Sequence, residues 1–139
     1  MSPLHQVMSR QQTSSKVPSG VERLLLKTAN SGWSARGTSF RSDYVACDPS
    51  AATWCRDRNI RLIGIDYLSV EPPESTSHEV HKALLEAGIV ILEGIDLEGV
   101  PSGRYTLIAL PLNIPTGEGS PTRAILIEPP IGFRLERPS

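Results

Sequence analysis

Apolar residues crowd into short stretches of this chain, and the residues between them carry turn and cap signals. Ile60 to Leu68 (IRLIGIDYL) is too apolar to alternate cleanly, which suits a strand buried on both faces, as in a parallel sheet. Pro72 and Pro73 then break the chain. Thr76, with Glu79 three residues later, fits a capping box, so a helix is expected to start there. Val80, Ala83, Leu84 and Ala87 recur at i, i+3, i+4 and i+7, one stripe able to pack on a sheet. Gly88 is placed to end that helix, and Ile89 to Leu92 reads as a second apolar strand. Strand, helix and strand in that order predict a right-handed βαβ crossover with parallel strands.

The flanking segments extend the pattern. Val21 to Thr28 (VERLLLKT) is a short strand with apolar residues too crowded for a one-sided sheet, and Ala29 to Arg41 is a Gly/Ser-rich loop carrying Trp33 and Phe40. Asp48 is placed as N-cap and Pro49 in the first turn of a further helix. That helix turns Ala52 and Cys55 or Trp54 to the core and ends in the charged run RDRN, which places another strand, helix, strand arrangement before Ile60. After Glu93 the chain is strand and turn: a turn at Pro101 and Gly103, a strand over Arg104 to Leu112, a Gly/Pro loop from Pro115 to Pro121, and a last strand from Arg123 to Glu128. Residues 1–20 read as a flexible leader, with docking as a strand or arm as the alternative use, and residues 129–139 as a loose Pro- and Arg-rich tail. The expected class is α/β, a mixed sheet with a βαβ crossover and flanking helices.

Composition narrows the function classes. With 139 residues, 39% hydrophobic and 21% charged, the chain is ordinary globular material, enough for one core. A formal net charge of −1 gives no reason to expect nucleic acid or an anionic membrane as partner. No apolar run approaches a membrane span and no signal-peptide pattern opens the sequence, so a cytoplasmic location is expected. Cys47 and Cys55 form neither a CxxC pair nor a zinc-ribbon pattern. No phosphate loop, Walker sequence, nucleophile elbow or internal repeat is present.

The candidate chemistry lies in the βαβ unit. The helix must run antiparallel to the strands, so His78 and His81 in its first turns lie near the carboxyl ends of those strands, where Glu93 ends the second one. Counting from Gly88 back to His81 and forward to Glu93 gives heights of roughly 10 and 16 Å. An imidazole and a carboxylate can therefore meet at the edge where α/β proteins bind ligands. Two readings stand side by side: a shared metal or catalytic site, or a helix histidine and a strand-end glutamate that are solvated or paired with each other. Asp66, near the end of the first strand, is a further oxygen-ligand candidate. Its other reading is a structural carboxylate accepting backbone hydrogen bonds.

Taken together, VERLLLKTANSGW, DYVACDPSAATWCRDRNIRLIGID, GIDYLSVEPP, His81 and ILEGIDLEGVPSGRYTLIALPLNIPTGEGSPTRAILIE resemble the cyclase family of metal-dependent hydrolases, which includes bacterial kynurenine formamidase. The resemblance covers Val21 to Glu128. It implies a divalent metal, zinc or manganese, held by His81 of the HxxL pattern and by Glu93 of ILEG, and it places Trp33 on the approach to the active site, where an aromatic substrate could contact it. The other reading of Trp33, and the favoured one, is an aromatic pinning its loop to the domain. The resemblance also implies that PLNIPTGEGSPTRA packs beside the metal pocket, where Gly117, Gly119 and Pro121 are adequately explained as turn residues as well. It implies too that Cys47 and Cys55 are buried free thiols, since both stand where apolar residues such as Leu are usual.

One departure is large. The family signature HxGTHxDxPxH, which supplies most ligands and the general acid/base, is absent, and the three histidines of the chain are His5, His78 and His81. The sequence looks like a truncated cyclase-family (swivelling β/β/α) domain, the C-terminal half only, with a short unrelated leader. Three functions follow as expectations. The favoured one is a non-catalytic, small-molecule-binding module that hides uncovered sheet edges by forming a homodimer or higher oligomer. The second is a hydrolase of an amide, ester or lactone, with His78 as the one local imidazole available as general base. The third is a subunit completed by a separately encoded N-terminal half.

Overall fold

A computed structural model of the chain describes residues 7–9, 17–33 and 39–128. The chain divides into two compact units, Met1–Gly99 and Val100–Ser139. The first contains strands β1 (Val7–Met8), β2 (Arg23–Leu26), β3 (Ala46–Cys47), β4 (Leu62–Ile65) and β5 (Val90–Leu92), with helices α1 (Pro49–Asp57) and α2 (Glu79–Glu86). The second contains β6 (Thr106–Pro111) and β7 (Thr122–Ile127).

In the first unit β4 is the middle strand of a parallel sheet ordered β2-β4-β5, with Leu24 opposite Ile63 and Ile63 opposite Ile91. Ile63, Gly64 and Ile65 are all buried, as the crowded apolar pattern requires of a strand covered on both faces. Helix α2 connects β4 to its parallel neighbour β5, which is the expected βαβ unit, and the two helices pack against each other. Ile63, Ile65, Leu84, Ile89, Trp54 and Cys55 lie in one core. Burial pushes the Cys47 thiol up to about 12 and the Cys55 thiol up to about 11.

Both helices stop in the same way. Gly88, at a φ of 70°, donates to Leu85 O, and Ile89 donates to Leu84 O. Asn59, at a φ of 56°, donates to Arg56 O, and Ile60 donates to Cys55 O. These are Schellman caps, with a left-handed residue after the helix and an apolar contact closing over it. Helix α1 also starts as expected, the Asp48 carboxylate accepting from Ala51 N–H at 3.0 Å, with Pro49 in the first turn.

Three local expectations are corrected. Helix α2 begins at Glu79 rather than at Thr76, and its N-cap is His78, in the left-handed region at φ 52°, with no side-chain cap of its own. The N-terminal turn is capped from a distance instead: the buried Glu71 carboxylate accepts from Val80 N–H at 2.7 Å, leaving the Thr76–Glu79 box without a role. The apolar stripe is correspondingly shorter, with Val80 and Leu84 buried and Ala87 exposed as C-cap. Strand β4 covers Leu62–Ile65 rather than Ile60 to Leu68, because Ile60 belongs to the cap of α1 and Asp66 turns to bind Thr28.

Of the stretch expected as a leader, Val7–Met8 pairs in parallel with Ala46–Cys47. The rest of it, apart from Ser9 and residues 17–20, lies outside the described residues, as do residues 34–38 of the Ala29 to Arg41 loop and the tail at 129–139. In the second unit β6 and β7 form an antiparallel hairpin across the Pro115 to Pro121 loop, with Ile108 opposite Ile125. Among the described residues no helix is long and apolar enough to cross a membrane.

Candidate metal centre

The carboxyl ends of β4 and β5 and the first turns of α2 meet, and Glu71, His78, His81 and Glu93 stand there. Beyond β4 the chain bends, and Val70 O accepts from Cys47 N at 2.8 Å, which holds the segment against β3. Glu71 follows. Its backbone carbonyl accepts a short hydrogen bond from the Tyr44 hydroxyl, and its side chain is 3% exposed. Pro72 then opens a turn closed by Ser75 N to Pro72 O at 3.0 Å, which delivers the chain to His78 and α2. On the other side Gly94, at a φ of 69°, donates to Tyr67 O at 2.7 Å, fixing the end of β5 next to the end of β4 just where Glu93 projects.

Within this frame His81 lies between two carboxylates. Its Nδ1 is 2.5 Å from Glu71 Oε2, and its Nε2 is 3.2 Å from Glu93 Oε1. Glu93 Oε1 also accepts from Val70 N–H at 2.8 Å. His78 Nδ1 is 3.3 Å from the same Glu71 Oε2, and the two imidazoles stand nearly edge to face at 6.3 Å between centroids. Burial tends to raise the Glu71 carboxyl, but hydrogen bonds from the His81 ring and Val80 N–H, with His81 charge and His78 adding to them, hold it below its ordinary value.

Ligand atoms of Glu71, His78 and His81 lie within 4.8 Å of one another, and Glu93 meets the same His81. Imidazole nitrogen and carboxylate oxygen are the donors zinc and manganese take, so this donor set fits a divalent ion. The sequence reading names His78, His81 and Glu93; the structure sets Glu93 directly against His81 and links His78 to His81 through Glu71. His78 sits there as the left-handed N-cap ahead of the helix rather than within its first turn.

Asp66 and Trp33 lie elsewhere. The Asp66 carboxylate, 0% exposed, accepts from Thr28 N and Thr28 Oγ1 at 2.7 Å each and from Ser31 Oγ at 2.5 Å. Trp33 packs edge-on to Tyr67 at 6.0 Å, and the Arg41 guanidinium lies 3.9 Å over its ring. Tyr67 and Tyr44 form the core of that small aromatic group.

Sequence reasoning missed Glu71. Its signal was present, an acidic residue just beyond the carboxyl end of a buried strand, the place where α/β proteins assemble sites.

Comparison with known proteins bears on what this site belongs to. No family model matches the chain. A kynurenine formamidase of Salinibacter ruber is 44% identical over 109 residues, covering 78% of this chain and 50% of that protein. One from Bacillus cereus is 40% identical over 107 residues, covering 77% of this chain and 50% of that protein. Among solved structures, a potential metal-dependent hydrolase with cyclase activity superimposes with a TM-score of 0.78 at 30% identity, covering 91% of this chain and 61% of that one. A predicted metal-dependent hydrolase from Bacillus stearothermophilus gives a TM-score of 0.77 at 30% identity, covering 88% and 58%. The chain spans about half the length of the curated relatives it matches. On these sequence and structural likenesses, the chain is similar over most of its length to the kynurenine formamidases and to metal-dependent hydrolases with cyclase activity, and so matches the cyclase family.

Proposed function

We propose that this chain is a kynurenine formamidase-like module that holds a divalent metal ion through His81 and Glu93 and is not catalytic by itself. The observation that carries this reading is His81, gripped at Nδ1 by buried Glu71 and presented at Nε2 to Glu93 3.2 Å away. An isolated surface histidine has no such partners on both nitrogens, whereas a ligating histidine is held by a carboxylate on the nitrogen turned away from the metal. When bound, a divalent ion of this kind supplies carbonyl polarisation and an acidified water.

The chain's own residues account for the holding and the orienting. Val70 N–H pins the Glu93 carboxylate, and Glu71 aligns the ring of His81. His78, its side chain 64% exposed, is the imidazole available to carry a proton at the edge of the site. Catalytic metals need about three protein ligands and an open position, and the HxGTHxDxPxH motif that would bring the others is not in this sequence. The relatives' name points to a formamide as the substrate class of the complete site. Cytoplasmic residence belongs to the same reading and is supported by two free, buried cysteines.

Two forms of association go with it. Self-association is supported by the large exposed apolar side chains of the hairpin unit, Leu110 at 70% and Leu112 at 62% among them. A second reading, a hydrolase whose site another chain completes, is favoured by the partial exposure of His81 and Glu93, at 28% and 31%, which leaves them reachable from outside.

Zinc and manganese titration of the wild type beside His81→Ala and Glu93→Ala tests the proposal. One ion per chain, lost in both variants, with no formamide, ester or lactone hydrolysis by the chain alone, is the expected result. No binding by the wild type removes the metal reading, and turnover by the purified chain alone removes the claim that the module is incomplete.

A further inference from the structure

We infer that Glu71 is a positioning residue that fixes the His81 ring so that Nε2, and not Nδ1, is the nitrogen offered to the metal. This rests on the metal-binding reading above but concerns a residue that the reading does not use as a ligand. The two Glu71 oxygens have separate tasks. Oε1 accepts from Val80 N–H at 2.7 Å, and Oε2 faces His81 Nδ1 at 2.5 Å and His78 Nδ1 at 3.3 Å. A carboxylate only accepts hydrogen bonds, so the proton in the short contact sits on Nδ1, and in the neutral ring the lone pair is then on Nε2.

On that side the ring meets Glu93 Oε1 at 3.2 Å, itself held by Val70 N–H. Two acceptors facing each other at that distance repel unless a cation, a proton or a metal ion, sits with them. The outer pair is therefore the cation-accepting side of the ring, and Glu71 is its anchor.

The competing arrangement makes Glu71 itself a ligand, with His78 and His81 both turned through Nδ1, since those atoms lie within 4.8 Å of one another. Exposure argues against it. The Glu71 side chain is 3% exposed, and one of its oxygens is committed to the start of α2, whereas His81 and Glu93 are 28% and 31% exposed. An ion with an open position for water or substrate belongs on the accessible side. The same carboxylate that starts the helix carrying His81 also sets the ring of His81, so backbone and side chain are placed by one residue.

The test uses protein with 15N-labelled histidine, loaded with cadmium-113 at about pH 8, above the ordinary imidazole range. Scalar coupling from the ion to His81 Nε2, with the proton on Nδ1, is expected. Coupling to Nδ1 overturns the inference and makes Glu71 a ligand. Glu71→Gln keeps the side-chain size and one acceptor oxygen, and its cadmium affinity is expected to fall by about tenfold to a hundredfold with stoichiometry retained. Unchanged affinity overturns the inference. If the wild type binds no cadmium, the proposed function fails, and the metal-free spectra still decide the orientation. A His81 Nδ1 proton protected in the wild type and lost or fast-exchanging in Glu71→Gln supports it, while identical His81 ring signals in the two proteins overturn it. If Glu71→Gln does not fold, the wild-type coupling pattern decides alone.

Discussion

Asp66 accepts from both the backbone N–H and the hydroxyl of Thr28, at 2.7 Å each, one carboxylate oxygen to each donor. The contact clasps the segments that follow β4 and β2, and Ser31 Oγ joins it at 2.5 Å. The loop beyond is held in turn by Asn30, whose side chain exchanges hydrogen bonds with the backbone N–H and carbonyl of Val45. Asp66 therefore anchors the first unit a short way along the chain from the metal candidate.

Asp66→Ala removes the fully buried acceptor of three part-buried donors. An unsatisfied buried donor costs about 1–3 kcal/mol, so a loss of about 3 kcal/mol in urea unfolding is expected, with zinc stoichiometry unchanged. A folded Asp66→Ala protein that no longer binds zinc would make Asp66 a ligand instead.

Gly64 has a packing reason to be glycine. A Cβ there would stand 2.5 Å from Leu25 Cδ2 and 3.1 Å from Ile95 Cδ1. Overpacking of this kind costs about 1–3 kcal/mol, and Gly64→Ala is expected to fall in that range by chemical denaturation. The double variant with Leu25→Ala should recover part of the loss, since the two side chains compete for one space. Simple addition of the two single effects would show that the contact is not the cause.

The contrast between what was legible in the chain and what was not follows the range of each interaction. The βαβ unit was readable because the cues for β4, α2 and β5 are local: crowded apolar runs, a 3.6-residue stripe and a glycine stop. Asp48 and Pro49 announced α1 for the same reason. His81 and Glu93 could be brought to one edge from heights along the helix and strand. The start of α2 was misplaced because its cap comes from Glu71, nine residues ahead of the Val80 N–H it receives. A local capping box is visible in the sequence, whereas a carboxylate delivered by a proline turn is not. The partners of Asp66 lie 35 and 38 residues away and are set by the pairing of β2 with β4.

Stability should depend on acid pH through Glu71. Its folded value lies below the ordinary 4.5 because of His81 and the Val80 N–H, despite burial. The unfolded chain therefore takes up this proton first as pH falls, and acid favours unfolding. The contribution is complete above 4.5 and is lost as pH drops from there through the lower folded value. Urea midpoints measured across that window should fall for the wild type and change less for Glu71→Gln. Parallel profiles for the two proteins would assign the acid sensitivity to other carboxylates.

The hairpin unit gives the clearest reason to expect self-association. A two-stranded hairpin is at best marginally stable on its own in water. In this one Ile108 lies opposite Ile125, Leu110 opposite Arg123 and Thr106 opposite Ile127, so Ile108, Leu110, Ile125 and Ile127 share a face. Leu110 is 70% exposed, Ile125 43% and Ile127 48%, a row of apolar side chains in water interrupted by one arginine. Such patches mark association surfaces, and a second copy of the chain presents an equivalent row. Sedimentation velocity should show concentration-dependent dimers or larger species in the wild type. Ile125→Glu with Ile127→Glu should shift the population to monomer without altering the helical circular dichroism of the first unit, because the substituted side chains stand on the exposed face of β7. A wild-type chain that sediments as a monomer at every accessible concentration would remove self-association through this face.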